Sequence, residues 1–122
     1  MLLKRLSDCP QSIALDDSII CELLNPLHEQ ANLKLNYSLA HATVKPETAT
    51  LPHRFKTASE VYYILKGRGI MHINEQSADV GPGTTIYIPP MANQYIENKG
   101  QEDLEFLCIV YPPWQPDAEE RV

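Results

Sequence analysis

Glu60-Val61-Tyr62-Tyr63-Ile64-Leu65 decides the fold: a run dense in aromatic and β-branched side chains, stopped at Lys66-Gly67-Arg68-Gly69. Its length and composition describe a strand. Downstream, a short apolar run and a turn recur at intervals of about ten residues, the rhythm of a sandwich or barrel. Ile70-Met71-His72-Ile73 is closed by Asn74-Glu75-Gln76-Ser77, and Gly81-Pro82-Gly83 leads to the strand Ile86-Tyr87-Ile88. The Pro89-Pro90 corner, the strand Gln94-Tyr95-Ile96-Glu97, the turn Asn98-Lys99-Gly100-Gln101 and a last strand from Leu104 to Tyr111 follow. Upstream, Leu33 to Val44 reads as a longer strand ending at Lys45-Pro46-Glu47-Thr48, where Pro46 presets φ for the corner. Ile19 to Leu24 reads as a short strand closed by Asn25-Pro26.

These elements predict an all-β chain in three parts: an N-terminal extension with a short strand over 1–32, a barrel over 33–111, and an acidic tail over 112–122. Residues 1–17 read as an irregular lead-in with little chemistry. The tail after Trp114 reads as a short C-terminal helix or a frayed end.

Composition narrows the function classes. At 122 residues the chain has room for one domain, and 43% hydrophobic with 21% charged residues is ordinary for a globular core. Ten prolines against five glycines favour short segments with stiff corners over long helices. A formal charge of -6, with no stripe of Lys or Arg, argues against nucleic acid as a partner. No signal-peptide or membrane-length apolar run is present, and Cys9, Cys21 and Cys108 form no CxxC pair, so the expectation is a cytoplasmic protein with reduced thiols.

Two stretches carry chemistry. In the first, His53 precedes Glu60 by seven residues and Gly67 follows by seven, with Glu60 opening the most apolar strand of the chain. Period-2 alternation puts Glu60, Tyr62 and Ile64 on one face, and in a closed sandwich that face lines the interior. A carboxylate buried there must be paired, protonated or bound to a cation. In the second stretch Gly83, Pro89, Gln94 and Asn98 are spaced by six, five and four residues, with Gln94, Ile96 and Asn98 on one face.

These spacings resemble the two motifs of the cupin superfamily, small double-stranded β-helix (jelly-roll) barrels, G-x5-H-x-H-x3,4-E-x6-G and G-x5-P-x-G-x2-H-x3-N. His53, Glu60 and Gly67 fall on the first His, the Glu and the closing Gly of motif one. Gly83, Pro89 and Asn98 fall on the opening Gly, the Pro and the Asn of motif two. The resemblance implies a divalent metal inside the barrel, held by three His and the Glu. Phe55 stands in place of the second His, however, and Gln94 in place of the motif-two His. Pro46-Glu47 lacks the Gly that opens motif one, and Met91 replaces the second Gly of motif two.

The expectation is a small cupin with one interior site that binds a divalent metal (Zn, Fe, Mn or Ni) and a small polar ligand such as a sugar or organic acid. His53, Glu60 and Gln94 would supply an imidazole nitrogen, a carboxylate and an amide oxygen, a weak set open to partial occupancy. His41 is a further candidate ligand if a hairpin around Glu47 sets it opposite residue 53. The alternative is a metal-free polar cluster, either a ligand-binding cupin or a sugar-epimerase-like one with His53 as general base. Tyr62 and His53 are the catalytic candidates, for a metal-dependent isomerase or dioxygenase-like reaction if the metal is present. Phe55, Tyr62 and Ile96 should line the cavity, and Cys108 should face inward with Leu104, Phe106 and Val110. His72 reads as structural and His28 as exposed. Small cupins resemble one another in pairing through sheet edges and the N-terminal segment, so a homodimer is expected.

Overall fold

The computed structural model describes residues 1–122, with eleven strands and a single 3-10 turn at Leu6–Asp8. The strands are β1 Ser12–Ile13, β2 Ile19–Leu24, β3 Ser38–Val44, β4 His53–Phe55, β5 Ser59–Lys66 and β6 Gly69–Ile73. They continue with β7 Gln76–Val80, β8 Thr85–Ile88, β9 Gln94–Glu97, β10 Leu104–Tyr111 and β11 Glu119–Arg121. All pair antiparallel, in two sheets ordered β1-β2-β3-β10-β5-β8 and β11-β4-β9-β6-β7. This is the all-β jelly roll expected from the turn spacing.

Alternation along the strands builds the interior. Ala42 and Val44 of β3, Leu104, Phe106 and Cys108 of β10, Tyr62 and Ile64 of β5, and Ile86 and Ile88 of β8 meet Met71, Val80 and Ile96 from the smaller sheet. Burying each large apolar side chain stabilises the fold by about 1.5–3 kcal/mol, and it is this pattern that fixes the register. Cys108 faces inward with Leu104, Phe106 and Val110, all buried. A smaller cluster of Phe55, Ala58 and Val110 packs against Trp114 and Ala118.

The turns explain which motif residues are structural. Gly67 has φ +84, and a Cβ there would lie 2.6 Å from the Asp103 carbonyl oxygen, so the closing glycine of motif one is required twice over. Glu47 and Met91 stand where the family has glycine, and both keep a left-handed backbone, φ 61 and φ 67. Asn98 ties the barrel wall together: its amide donates to the Val44 and Glu102 carbonyls, and its side-chain oxygen accepts from the Gly100 N–H.

Three expectations need correction. The long strand begins at Ser38, not Leu33. Gln76–Val80, with Gln76 and Ser77 expected in a turn, is the strand β7; it lies at a sheet edge and only Val80 is buried, so no apolar alternation marked it. The tail is neither helix nor frayed. Its β11 pairs with β4, and the Ala118 carbonyl accepts from Lys56 N–H while Val122 N–H donates to Pro52.

Candidate functional site

Strand parity delivers the central residues. Glu60 and Tyr62 are the inward positions at the start of β5, and β4 and β9 put His53 directly across from Gln94. All four are buried, with His53 at 2% and Gln94 at 0% exposure. Tyr62 Oη donates to Gln94 Oε1 at 3.1 Å, and Gln94 Nε2 donates to Glu60 Oε1 at 3.1 Å. Gln94 thus bridges a phenol and a carboxyl.

His53 is held separately. Its Nδ1 donates to the Leu51 carbonyl at 2.7 Å, because a carbonyl can only accept. That fixes the tautomer and leaves Nε2 as the open nitrogen. Asp16 Oδ2 stands 3.6 Å from Nε2, beyond hydrogen-bond distance. Asp16 is itself set by its other oxygen, which accepts from the Ser18 N–H at 3.0 Å and the Ser18 hydroxyl at 2.6 Å. Its carbonyl takes the Leu51 N–H at 2.7 Å, so one backbone residue aligns both Asp16 and His53. On the other flank Glu119 accepts from the Trp114 indole at 3.1 Å.

These groups share a cavity of about 330 Å³, lined by His53, Glu60, Tyr62, Asp16 and Glu119 together with apolar walls that include Phe55, Phe106 and Trp114. Burial pushes the Glu60 carboxyl well above the usual carboxylate range; the Gln94 hydrogen bond opposes this, and the charges of Glu119 and Asp16 add to it. Burial likewise raises Glu119. The Tyr62 phenol and the Cys108 thiol are pushed well up, first by burial and then by Glu60, which keeps both protonated and inert at neutral pH. Tyr62, a catalytic candidate, therefore serves as a hydrogen-bond donor to Gln94. His53 Nε2 is the group free to accept a proton or hydrogen bond from a bound molecule, with Asp16 beside it to stabilise an imidazolium.

The expected ligand set is brought together only in part. His53, Glu60 and Gln94 converge on the interior, but the Gln94 amide is committed at both ends, and Phe55 fills the position of a second His. No three His, Cys, Asp or Glu side chains gather closely enough to hold a metal ion. The family's four-ligand cage therefore does not fit these residues. His41 is not near them: β3 pairs with β2 and β10 while β4 lies in the other sheet, so no hairpin joins the two strands. Ala40 and Ala42 take the cavity-lining positions of β3. His41 points the other way, across from Cys21, with Nε2 3.1 Å from Glu105 Oε1 but off the hydrogen-bond direction. Phe55 lines the cavity as expected, whereas Ile96 is fully buried in the core beside it.

Two residues escaped the sequence reading. Asp16 lay in a stretch read as a lead-in and Glu119 in a tail read as a short helix or a frayed end. Neither belongs to a motif, and only the closure of the flanks onto β4 brings them to His53.

The comparisons agree with this architecture. The family model described as a cupin domain matches residues 40–110. An uncharacterized protein of Methanocaldococcus jannaschii is 43% identical over 108 residues, 88% of this chain and 84% of that protein. An oxalate-binding protein of Thermotoga maritima is 30% identical over 84 residues, 69% of this chain and 65% of that protein, just under two thirds of its length. The solved structure of a predicted oxalate decarboxylase from Thermotoga maritima superposes with a TM-score of 0.75 at 24% identity, covering 91% of this chain and 99% of that one, a likeness of fold. No helix is long and apolar enough to cross a membrane. With both motif frames, the two-sheet barrel and the family match in agreement, this chain belongs to the cupin family.

Proposed function

We propose that this cupin binds a small polar molecule in its interior cavity, with His53, Glu60 and Asp16 as the polar centre and Phe55, Phe106 and Trp114 as walls. The observation that carries the reading is unfilled hydrogen-bonding capacity on side chains that line one cavity. His53 is 98% buried by its 2% exposure, yet Nε2 makes no hydrogen bond, and Glu60 uses only one of its two oxygens. Polar atoms that face a cavity without a protein partner are where a small molecule can be held. A relative described as oxalate-binding supports a small ligand as the class. The test is a ligand-observed NMR screen of small polar fragments against the wild-type chain and an Ala40→Phe variant, which fills the cavity from β3. Fragments should bind the wild type and lose binding in the variant while its circular dichroism stays native. Binding unchanged by Ala40→Phe, or absent from the start, contradicts the reading.

The metal expected from the sequence would draw on His53 and Glu60 with Asp16, three side chains that stand too far apart as they are and would have to close on the ion. The 3.6 Å gap between His53 Nε2 and Asp16 is the observation in its favour. Elemental analysis of untagged protein before and after chelation separates the two readings. The metal-free reading expects well under one equivalent of metal and fragment binding that survives chelation.

A second copy of the chain is the partner of the outer face of the larger sheet. Tyr63 and Leu65 of β5 and Tyr87 of the edge strand β8 lie on one side of that sheet, 42%, 44% and 63% exposed. An apolar face of this kind favours association. Sedimentation at micromolar concentration should show a dimer, and a lone 13.8 kDa species would contradict it.

A further inference from the structure

We infer that the molecule held in this cavity is a small organic cation, an ammonium group carrying an apolar body. The inference rests on the reading of the cavity as a ligand site and names the chemistry of its occupant. Four carboxylates, Asp16, Glu22, Glu60 and Glu119, line the cavity with two imidazoles, His28 and His53, and none of the lining residues is a lysine or an arginine. Glu22 and His28 pair with each other at 2.8 Å, and His53 can balance only one of the remaining three carboxylates when they are ionised. The His53 ring is buried and its open nitrogen looks into the same space without a hydrogen bond.

An oxalate or other anion entering alone would meet these carboxylates with no free countercharge beyond His53, because His28 is already paired with Glu22. An ammonium would meet acceptor oxygens on Asp16, Glu60 and Glu119. Its hydrocarbon part would lie against Phe55, Tyr62 and Trp114, whose ring faces attract cations. Burial raises both Glu60 and Glu119, with Glu119 and Asp16 adding to the first and Asp16 to the second, so an ammonium entering beside them would favour their ionised forms.

The experiment is calorimetry on the full chain, chelator-treated and in amine-free phosphate buffer, with three probes that share one body: n-butylammonium chloride, 1-butanol and sodium butyrate. The ammonium should bind at least about tenfold more tightly than the alcohol, with no heat from the carboxylate. Glu119→Gln and Glu60→Gln should each weaken the ammonium by roughly 5- to 10-fold. Melting curves confirm that both variants are folded, and Glu119→Gln, at the barrel rim, serves if Glu60→Gln does not fold. Butyrate or butanol binding as tightly as the ammonium overturns the inference, as do variants that bind it unchanged. If glucose or oxalate binds and the ammonium does not, the charge inference fails while the cavity reading survives. If nothing binds and the fragment screen is also empty, both fail. Stoichiometric uptake of added MnCl2 that blocks the ammonium would assign the charge to a metal instead and overturns the inference.

Discussion

Of the protein's four histidine–carboxylate pairs, one on the outside of the barrel and one inside it end in opposite states. On the outer face of the smaller sheet His72 Nε2 meets Glu97 Oε1 at 2.6 Å, Lys99 joins the same carboxylate at 3.2 Å, and Tyr95 stacks on the imidazole. Those hydrogen bonds from His72 and Lys99 hold Glu97 below the usual carboxylate range. Inside, His53 and Asp16 stop at 3.6 Å, and Glu60 is held above that range by burial. The outer group is complete without a ligand. The inner group is buried and incomplete, which costs stability and leaves chemistry available. Under the proposed ligand site, it is this contrast and not residue type that would set His53 apart from His72.

The largest expected effect lies in the bridge that keeps the inner group folded. Gln94→Leu strands the Tyr62 hydroxyl and removes the one hydrogen bond to Glu60, so urea denaturation at neutral pH should show a loss of about 2–4 kcal/mol. The outer counterpart, His72→Ala, should lose no more than roughly 1 kcal/mol, because a partly exposed ion pair is worth little. Equal losses at the two sites would break the comparison.

A charge-neutral exchange sharpens it by reversing sign. Glu60 has a folded pKa above its unfolded value near 4.3, so its contribution is fully present below about pH 4 and is lost as pH rises through the folded pKa. Glu60→Gln should therefore match the wild type near pH 4 and exceed it by about 1–2 kcal/mol at neutral pH. The groups facing Glu60 are Asp16, Glu119, Tyr62 and Cys108, with His53 across the cavity. Glu97, whose pKa is lowered, behaves the other way: its contribution is present above its unfolded pKa and fades as pH falls through the folded one. Denaturation series across pH for Glu60→Gln and Glu97→Gln should therefore diverge in opposite directions.

How much of this was legible follows from where each residue sits. His53, Glu60 and Gln94 could be read from spacing and strand parity because all three lie on continuous barrel strands. Asp16 and Glu119 could not, since the Leu51 N–H and the β11–β4 pairing that deliver them are tertiary contacts with no local pattern. His41 failed for the related reason that chain neighbours β3 and β4 fall in different sheets. The glycine departures mislead in the opposite sense. Glu47 and Met91 suggest altered turns, yet both keep the left-handed backbone, because Glu47 N–H donates to Asn98 and Met91 N–H donates to Phe55. The smallest prediction tests this at the corner beside the inner site. Met91 is 51% exposed and packs little, so Met91→Gly should stabilise the protein by about 0.5–1 kcal/mol in thermal or urea denaturation, and a destabilised variant would contradict it.

The central claim is that the inner histidine awaits a ligand and the outer one does not. Long-range 1H–15N spectra of the histidine rings test it most directly, recorded for the free protein and then with n-butylammonium, glucose and oxalate in turn. The account predicts that His53 Nε2 shifts with at least one of these probes, with Nδ1 remaining the protonated nitrogen, while the His72 resonances stay in place. A His53 ring that ignores all three probes, or that moves only in step with His72, would contradict it.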